Sequence, residues 1–244
     1  MVSRIMALPR IATPSYKIEL PSTEKEIEIR PFVVKEEKLL VLAMESQDNN
    51  EITHAIKNVL QACILTPGVN VETLPTFDIE YLFLMIRGKS VGEEIEVNVI
   101  APDDEITEVP VKISIYDIKV HKQDDHNPEV ILDDKLRMRM KYPSLSQFID
   151  NNFIAEDTSN VEKTFGVIAS CIDTIYNEED AWAASDYTDK ELTEFIEQLS
   201  STQFKQIEKF FETMPKLSHE VKFKNPKTKK VNKVVLEGLN SFFS

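Results

Sequence analysis

Phe77-Asp78-Ile79-Glu80-Tyr81-Leu82-Phe83-Leu84-Met85-Ile86-Arg87-Gly88-Lys89-Ser90-Val91-Gly92 is the stretch on which the fold turns. Read at 3.6 residues per turn, Ile79, Leu82, Phe83 and Ile86 make one apolar face, and Tyr81, Leu84 and Met85 cover the other. A helix that is apolar nearly all round must be packed on more than one side. It is expected at the centre of a core, capped by Thr76 or Asp78 and ending around Gly88.

On the N-terminal side, Tyr16, Ile18 and Leu20 alternate with polar residues, Pro21 and Ser22 turn the chain, and Ile27 and Ile29 alternate again. Residues 15–33 therefore read as strands. A helix follows over about 35–46 with Leu39, Leu40, Leu42 and Ala43 as its apolar face. Asn49 or Asn50 then caps a second helix, whose stripe is Ile52, Ala55, Ile56, Val59, Leu60 and Cys63; Thr66-Pro67-Gly68 ends it.

On the C-terminal side, Ile95, Val97 and Val99 and then Val109, Val111, Ile113 and Ile115 alternate around Ala101-Pro102-Asp103-Asp104, which predicts a hairpin. Ile118 and Val120 have the opposite parity, so a bulge or break falls near Tyr116. Past a polar run over 122–128, Val130, Leu132, Leu136, Met138 and Met140 predict one or two strands. From Ser144 the period is helical, with Val161, Phe165, Ile168, Ile172 and Ile175 as a stripe. Thr188 with Glu191 is a capping box for the helix bearing Leu192, Phe195, Ile196 and Leu199. Another helix starts at Thr202, bears Phe204, Ile207, Phe210, Phe211 and Met214, and stops at Pro215. A lysine-rich hairpin around Asn225-Pro226-Lys227 and a short apolar helical ending close the sequence. The class is α+β: N-terminal strands and helices around a central buried helix, a β-hairpin region, and a helical C-terminal part ending in a hairpin and short helix. Three regions are expected, over 1–125, 126–215 and 216–244.

Only 5 of 244 residues are glycine, where about 17 would be usual. Few positions are thus free to adopt the positive φ that phosphate-cradling loops use. The net charge of −14 disfavours general DNA binding and favours a basic protein partner. That charge is polarised. Lys216, Lys222, Lys224, Lys227, Lys229, Lys230 and Lys233 face Glu220 alone, so this stretch carries +6 and the rest −20. Either the lysines guard an edge strand, or they form a binding patch.

Cys63 and Cys171 fall on predicted apolar helix faces and read as buried thiols of a reducing compartment. The N-terminal MVSRIMALPRIATP is too short and too interrupted by Pro9 for a signal peptide. No segment approaches the ~20 apolar residues of a membrane span. His54, His121, His126 and His219 lie far apart and read as surface residues, with no zinc spacing and no nucleophile, phosphate-loop or dinucleotide motif beside them. Gly88-Lys89-Ser90 lacks the upstream glycine of a phosphate loop. Asp103-Asp104, Asp124-Asp125, Asp133-Asp134 and Glu178-Glu179-Asp180 read as turns and caps. No catalytic, cofactor or metal residue is expected.

The Phe77–Glu93 stretch resembles the T4-like bacteriophage baseplate hub family, as do Arg30-Pro31-Phe32-Val33-Val34-Lys35-Glu36-Glu37-Lys38 and the ending Leu236-Glu237-Gly238-Leu239 with Phe242 and Phe243. The resemblance implies a non-enzymatic hub assembly factor, chaperone-like, that binds other phage hub or tail proteins in the host cytoplasm. It equally allows a permanent structural subunit of the virion baseplate, and more remotely a cell-wall hydrolase. It implies neither nucleic-acid nor membrane binding, and leaves oligomeric state open. The expected partner surface comprises Lys222, Lys224, Lys227, Lys229 and Lys230 with Leu239, Phe242 and Phe243, unless those apolar residues dock internally. Both hairpins resemble zinc ribbons in layout, and some relatives carry cysteine pairs at such turns. Here the turns hold no cysteine or histidine, so no zinc is expected.

Overall fold

A computed structural model describes residues 11–46, 48–145 and 161–242. The N-terminal segment over 1–10, the start of the helical region over 146–160, and Phe243 lie outside them. β1 (Tyr16–Leu20) and β2 (Lys25–Ile29) form an antiparallel hairpin, followed by α1 (Val34–Ser46), α2 (Asn49–Cys63) and α3 (Thr76–Val91). Most of the apolar face expected for α1 is not buried: Ala43 is, but Leu39 and Leu42 are exposed. The stripe on α2 does turn inward, and Asp48, not Asn49 or Asn50, supplies the cap, its Oδ1 accepting the Glu51 N–H at 3.1 Å.

α3 is central, with Ile79, Leu82, Leu84 and Ile86 all fully buried. Neither Thr76 nor Asp78 caps it; the N-cap is Pro75, with no side-chain cap. Asp78 is instead wholly buried, where its carboxylate accepts from the backbone N–H of Ser22 at 2.9 Å and from the Ser22 hydroxyl. Burial pushes that carboxyl above its usual range, against those hydrogen bonds. The turn between β1 and β2 is thereby fastened to the first turn of α3, where the helix dipole favours a carboxylate. The helix also runs past Gly88 to Gly92 (φ 149°). Gly88 serves a close approach: a Cβ there would lie 2.3 Å from Ile115 Cδ1.

β3 (Glu94–Ile100) and β4 (Glu108–Ser114) pair with Val97 opposite Val111. The parity change near Tyr116 is a turn, closed by the Asp117 N–H to Ser114 carbonyl bond of 3.0 Å, not a bulge. Beyond it β5 (Lys119–His121) leaves for another sheet, where it pairs with β10 (Lys216–Lys224); β11 (Val231–Glu237) completes the order β11-β10-β5. Leu217, Val221, Phe223, Leu236, Leu239 and Phe242 thus join the core built around α3.

A second core lies between. β6 (Glu129–Ile131), β7 (Arg137–Met140), β8 (Ile172–Tyr176) and β9 (Ala181–Ala183) form an antiparallel sheet in that order, with α4 (Val161–Ser170), α5 (Asp189–Glu197) and α6 (Ser201–Thr213) around it. Ile172 and Ile175 are not in a helix, since α4 stops at Ser170 and the β-branched run after Cys171 becomes β8. Three residues apart, they would face opposite sides of a regular strand. A register shift sets Ile172 opposite Met140 and Ile175 opposite Met138, and both are buried. The Thr188–Glu191 capping box is present, and a second, Ser200–Gln203, opens α6. Cys63 ends α2 and Cys171 follows α4, off its helical face; burial pushes both thiols up to about 11. Among the described residues no helix is long and apolar enough to cross a membrane.

Candidate partner-binding surface

The strand period decides where the lysines go. Along β10, Val221 and Phe223 point into the core, so Glu220, Lys222 and Lys224 point out; along β11, Val231, Lys233 and Val235 do the same. Lys222 stands directly opposite Lys233, a like-charge pairing that costs stability. Glu220 offsets it, its Oε1 lying 3.2 Å from Lys222 Nζ and 3.6 Å from Lys233 Nζ. Hydrogen bonding to Lys222, with the charge of Lys233 nearby, holds the Glu220 carboxyl below its usual range. Lys227, Lys229 and Lys230 crowd the exposed tip, with Lys229 at φ 65°. Among the described residues no carboxylate lies within 4.0 Å of Lys224, Lys227, Lys229 or Lys230, whereas Lys216 reaches Glu237 at 4.0 Å. The face is therefore four uncompensated cations, Lys224 at the end of β10 and the other three in the turn, beside two exposed valines on the edge strand β11.

That tip is held in place by the other hairpin. Asn225 is fully buried; its Oδ1 accepts the Lys227 and Thr228 N–H groups at 2.8 and 3.3 Å, and its Nδ2 donates to Asp103 Oδ1 at 2.9 Å. Asp103 also accepts from Asn232 Nδ2 at 2.8 Å and from the Thr228 hydroxyl. These bonds, that from Thr228 first, hold the Asp103 carboxyl below its usual range. The two turns that resemble zinc ribbons in layout therefore meet through a carboxylate and two carboxamides. Asp104 turns the other way, accepting from the Thr107 hydroxyl at 2.5 Å and its N–H at 3.0 Å; these bonds also lower its pKa. Neither aspartate is a base poised near neutrality.

The apolar half of the expected surface is placed differently. Leu239 and Phe242 are 2% and 1% exposed and belong to the core around α3. Burying them there removes apolar area that a partner would otherwise have had to cover. His126, expected at the surface, is 7% exposed: Nδ1 lies 2.9 Å from the Thr213 hydroxyl and Nε2 2.9 Å from Tyr142 OH, with Phe210 against the ring. Phe77 packs edge-on against Tyr142 at 5.1 Å, which carries this aromatic cluster from the second core to α3. Burial lowers the His126 pKa; Lys122 adds to the effect and Asp125 opposes it. Among the described residues no three His, Cys, Asp or Glu side chains are grouped as a metal site would require.

The pairing of Asp103 with Asn225 and Asn232 was not legible in the sequence, because it joins residues more than a hundred positions apart. The only local signal was Asn-Pro followed by lysines, which marks a turn. A family model described as T4 bacteriophage base plate protein matches residues 13–244. No curated protein and no solved structure matches the chain.

Proposed function

This chain belongs to the T4 bacteriophage base plate protein family, and on that premise we propose that it is a non-enzymatic, chaperone-like hub assembly factor. It captures an acidic surface of another phage hub or tail protein with Lys222, Lys224, Lys227, Lys229 and Lys230. The observation that carries this reading is the rigidly clamped tip, which presents uncompensated cations on a body of opposite charge. Such polarity accelerates encounter and fixes orientation. The −20 body disfavours DNA as the partner.

Affinity capture from infected cells tests it. The intact chain should retain phage tail or baseplate proteins, identified by mass spectrometry, and a chain with Lys224, Lys227, Lys229 and Lys230 changed to Glu should lose them. Equal capture by both chains would sink the assignment. Mass spectrometry of purified mature virions reads the role: an assembly factor is absent, whereas a permanent structural subunit is present in fixed proportion.

A further inference from the structure

The sheet order β11-β10-β5 leaves one side of β11 without a neighbouring strand. The direction of its peptide groups follows from the two ends of the hairpin. At the tip the Asn225 N–H donates to the Lys230 carbonyl at 2.9 Å, and at the base the Gly238 N–H donates to the Leu217 carbonyl at 2.8 Å. Antiparallel pairs alternate between bonded and unbonded. Between those ends, Asn232, Val234 and Leu236 therefore bond to β10, and the N–H and C=O of Val231, Lys233 and Val235 point away from the sheet. Among the described residues none of these outward groups has a hydrogen-bond partner. The edge closes at Glu237, whose carbonyl accepts from the Ser241 hydroxyl at 2.6 Å. Val231 and Val235, 73% and 56% exposed, flank Lys233 on the solvent face of the same edge.

Unpaired peptide groups in a row are a template for an extended strand. The side chains along the edge say which strand fits. Lys222 and Lys233 share the single carboxylate of Glu220, so one positive charge remains between the two valines. Beyond Val231 stand Lys229 and Lys230 with no carboxylate of the chain to meet them. An antiparallel strand, the more stable pairing, would thus place an apolar residue opposite Val235, a carboxylate opposite Lys233 and an apolar residue opposite Val231. It would end in carboxylates at the tip. The same lysines repel a cationic strand, so guarding the edge and selecting its occupant are one property.

We propose that β11 captures an extended acidic segment of the partner protein as a further, antiparallel strand of its sheet. This rests on the lysine face being the capture surface, and it names the element that the face receives. Main-chain bonds supply the affinity, and the alternating side chains set the register.

The probe is the synthetic peptide Thr-Val-Thr-Glu-Thr-Val-Thr-Glu-Glu, whose valines would stand opposite Val235 and Val231. Amide hydrogen exchange of the intact chain, read residue by residue by NMR, should be fast at Val231, Lys233 and Val235 and slow at Asn232, Val234 and Leu236. Peptide at about ten times its Kd should slow the first three about tenfold. A peptide of the same composition without the alternation should bind at least about tenfold more weakly. Val235→Pro removes an outward N–H but no bond to β10, a change that an edge strand tolerates, and should weaken binding about tenfold. Val235→Thr keeps the N–H and the shape and should stay within about threefold.

Amides at Val231, Lys233 and Val235 that are already protected in the free chain overturn the proposal, since the chain itself or a second copy then fills the edge. So does exchange that the peptide leaves unchanged, a measurement on the parent chain that holds even if the proline variant misfolds. Equal binding of the scrambled peptide, or by a folded proline variant, also overturns strand addition while leaving the lysine face standing. Failure of that face shows separately, as equal capture from infected cells by the parent and the lysine-to-glutamate chains.

Discussion

Replacing Asn225 tests whether the contact between the two hairpin tips holds the fold together. Asn225 is wholly buried and makes three hydrogen bonds, two accepted from the Lys227 and Thr228 N–H groups and one donated to Asp103. At about 0.5–1.5 kcal/mol net for each, Asn225→Ala should lose about 2–3 kcal/mol, the partly exposed backbone groups recovering some of it from water. Asn225→Asp keeps the two accepted bonds but sets a carboxylate against that of Asp103, about 3 Å away, so at pH 7 it should lose more than the alanine variant. The pair would share a proton, its folded pKa raised above the unfolded value near 3.9. The stability restored by that proton is fully present below the unfolded value and disappears as pH rises through the folded one. Relative to the parent chain, Asn225→Asp should therefore recover on acidification and Asn225→Ala should not. Urea unfolding is best followed by far-UV circular dichroism, because the lone tryptophan, Trp182, packs in the second core and reports on that. An alanine variant within about 0.5 kcal/mol of the parent, the usual scatter for surface changes, would refute the reasoning. So would an aspartate variant at pH 7 no worse than the alanine.

Gly88→Ala drives a methyl to within 2.3 Å of Ile115 Cδ1, and should cost about 1–3 kcal/mol in chemical denaturation, partly relieved by adding Ile115→Val. Phe242→Ala should cost about 3–5 kcal/mol as a core deletion; unchanged stability would return Phe242 to the list of partner contacts. His126 is buried in its neutral form, with its pKa lowered by burial. The unfolded chain thus binds the proton more readily, and the contribution of His126 is present above the unfolded value near 6.5 and lost as pH falls below it. Tm should fall between pH 7 and pH 5, and His126→Asn should flatten that slope even though Lys122 and Asp125 stay in place.

Where apolar period and burial coincide, the sequence was enough: α2 is recoverable from its helical stripe, α3 from being apolar nearly all round, and β1 to β4 from alternation. It misled where one pattern serves two structures. Ile168, Ile172 and Ile175 fit a helical stripe, yet the last two belong to a bulged strand, since a bulge lets residues three apart share a face. On α1, leucines implied a buried face that the structure leaves open, because helix propensity and hydrophobicity do not say whether the covering surface belongs to the same chain. The charge of the candidate surface was fully legible as a count of lysines. Its rigidity was not, because Asp103 meets Asn225 and Asn232 only through tertiary folding, and His126 acquires its environment in the same way.

The interleaving of the two cores bears on how the protein is made. β5, at Lys119–His121, has no sheet to join until Lys216–Ser218 exists, and the core around α3 lacks Leu217, Leu236 and Phe242 until then. At about 5–20 residues per second on the ribosome, the intervening stretch takes roughly 5–20 s to synthesise. For that interval the nascent chain carries α3 with one side of its core open, while the second core, complete by about residue 211, can already close. Vectorial synthesis therefore favours the inserted core first. It leaves α3 waiting for the lysine hairpin.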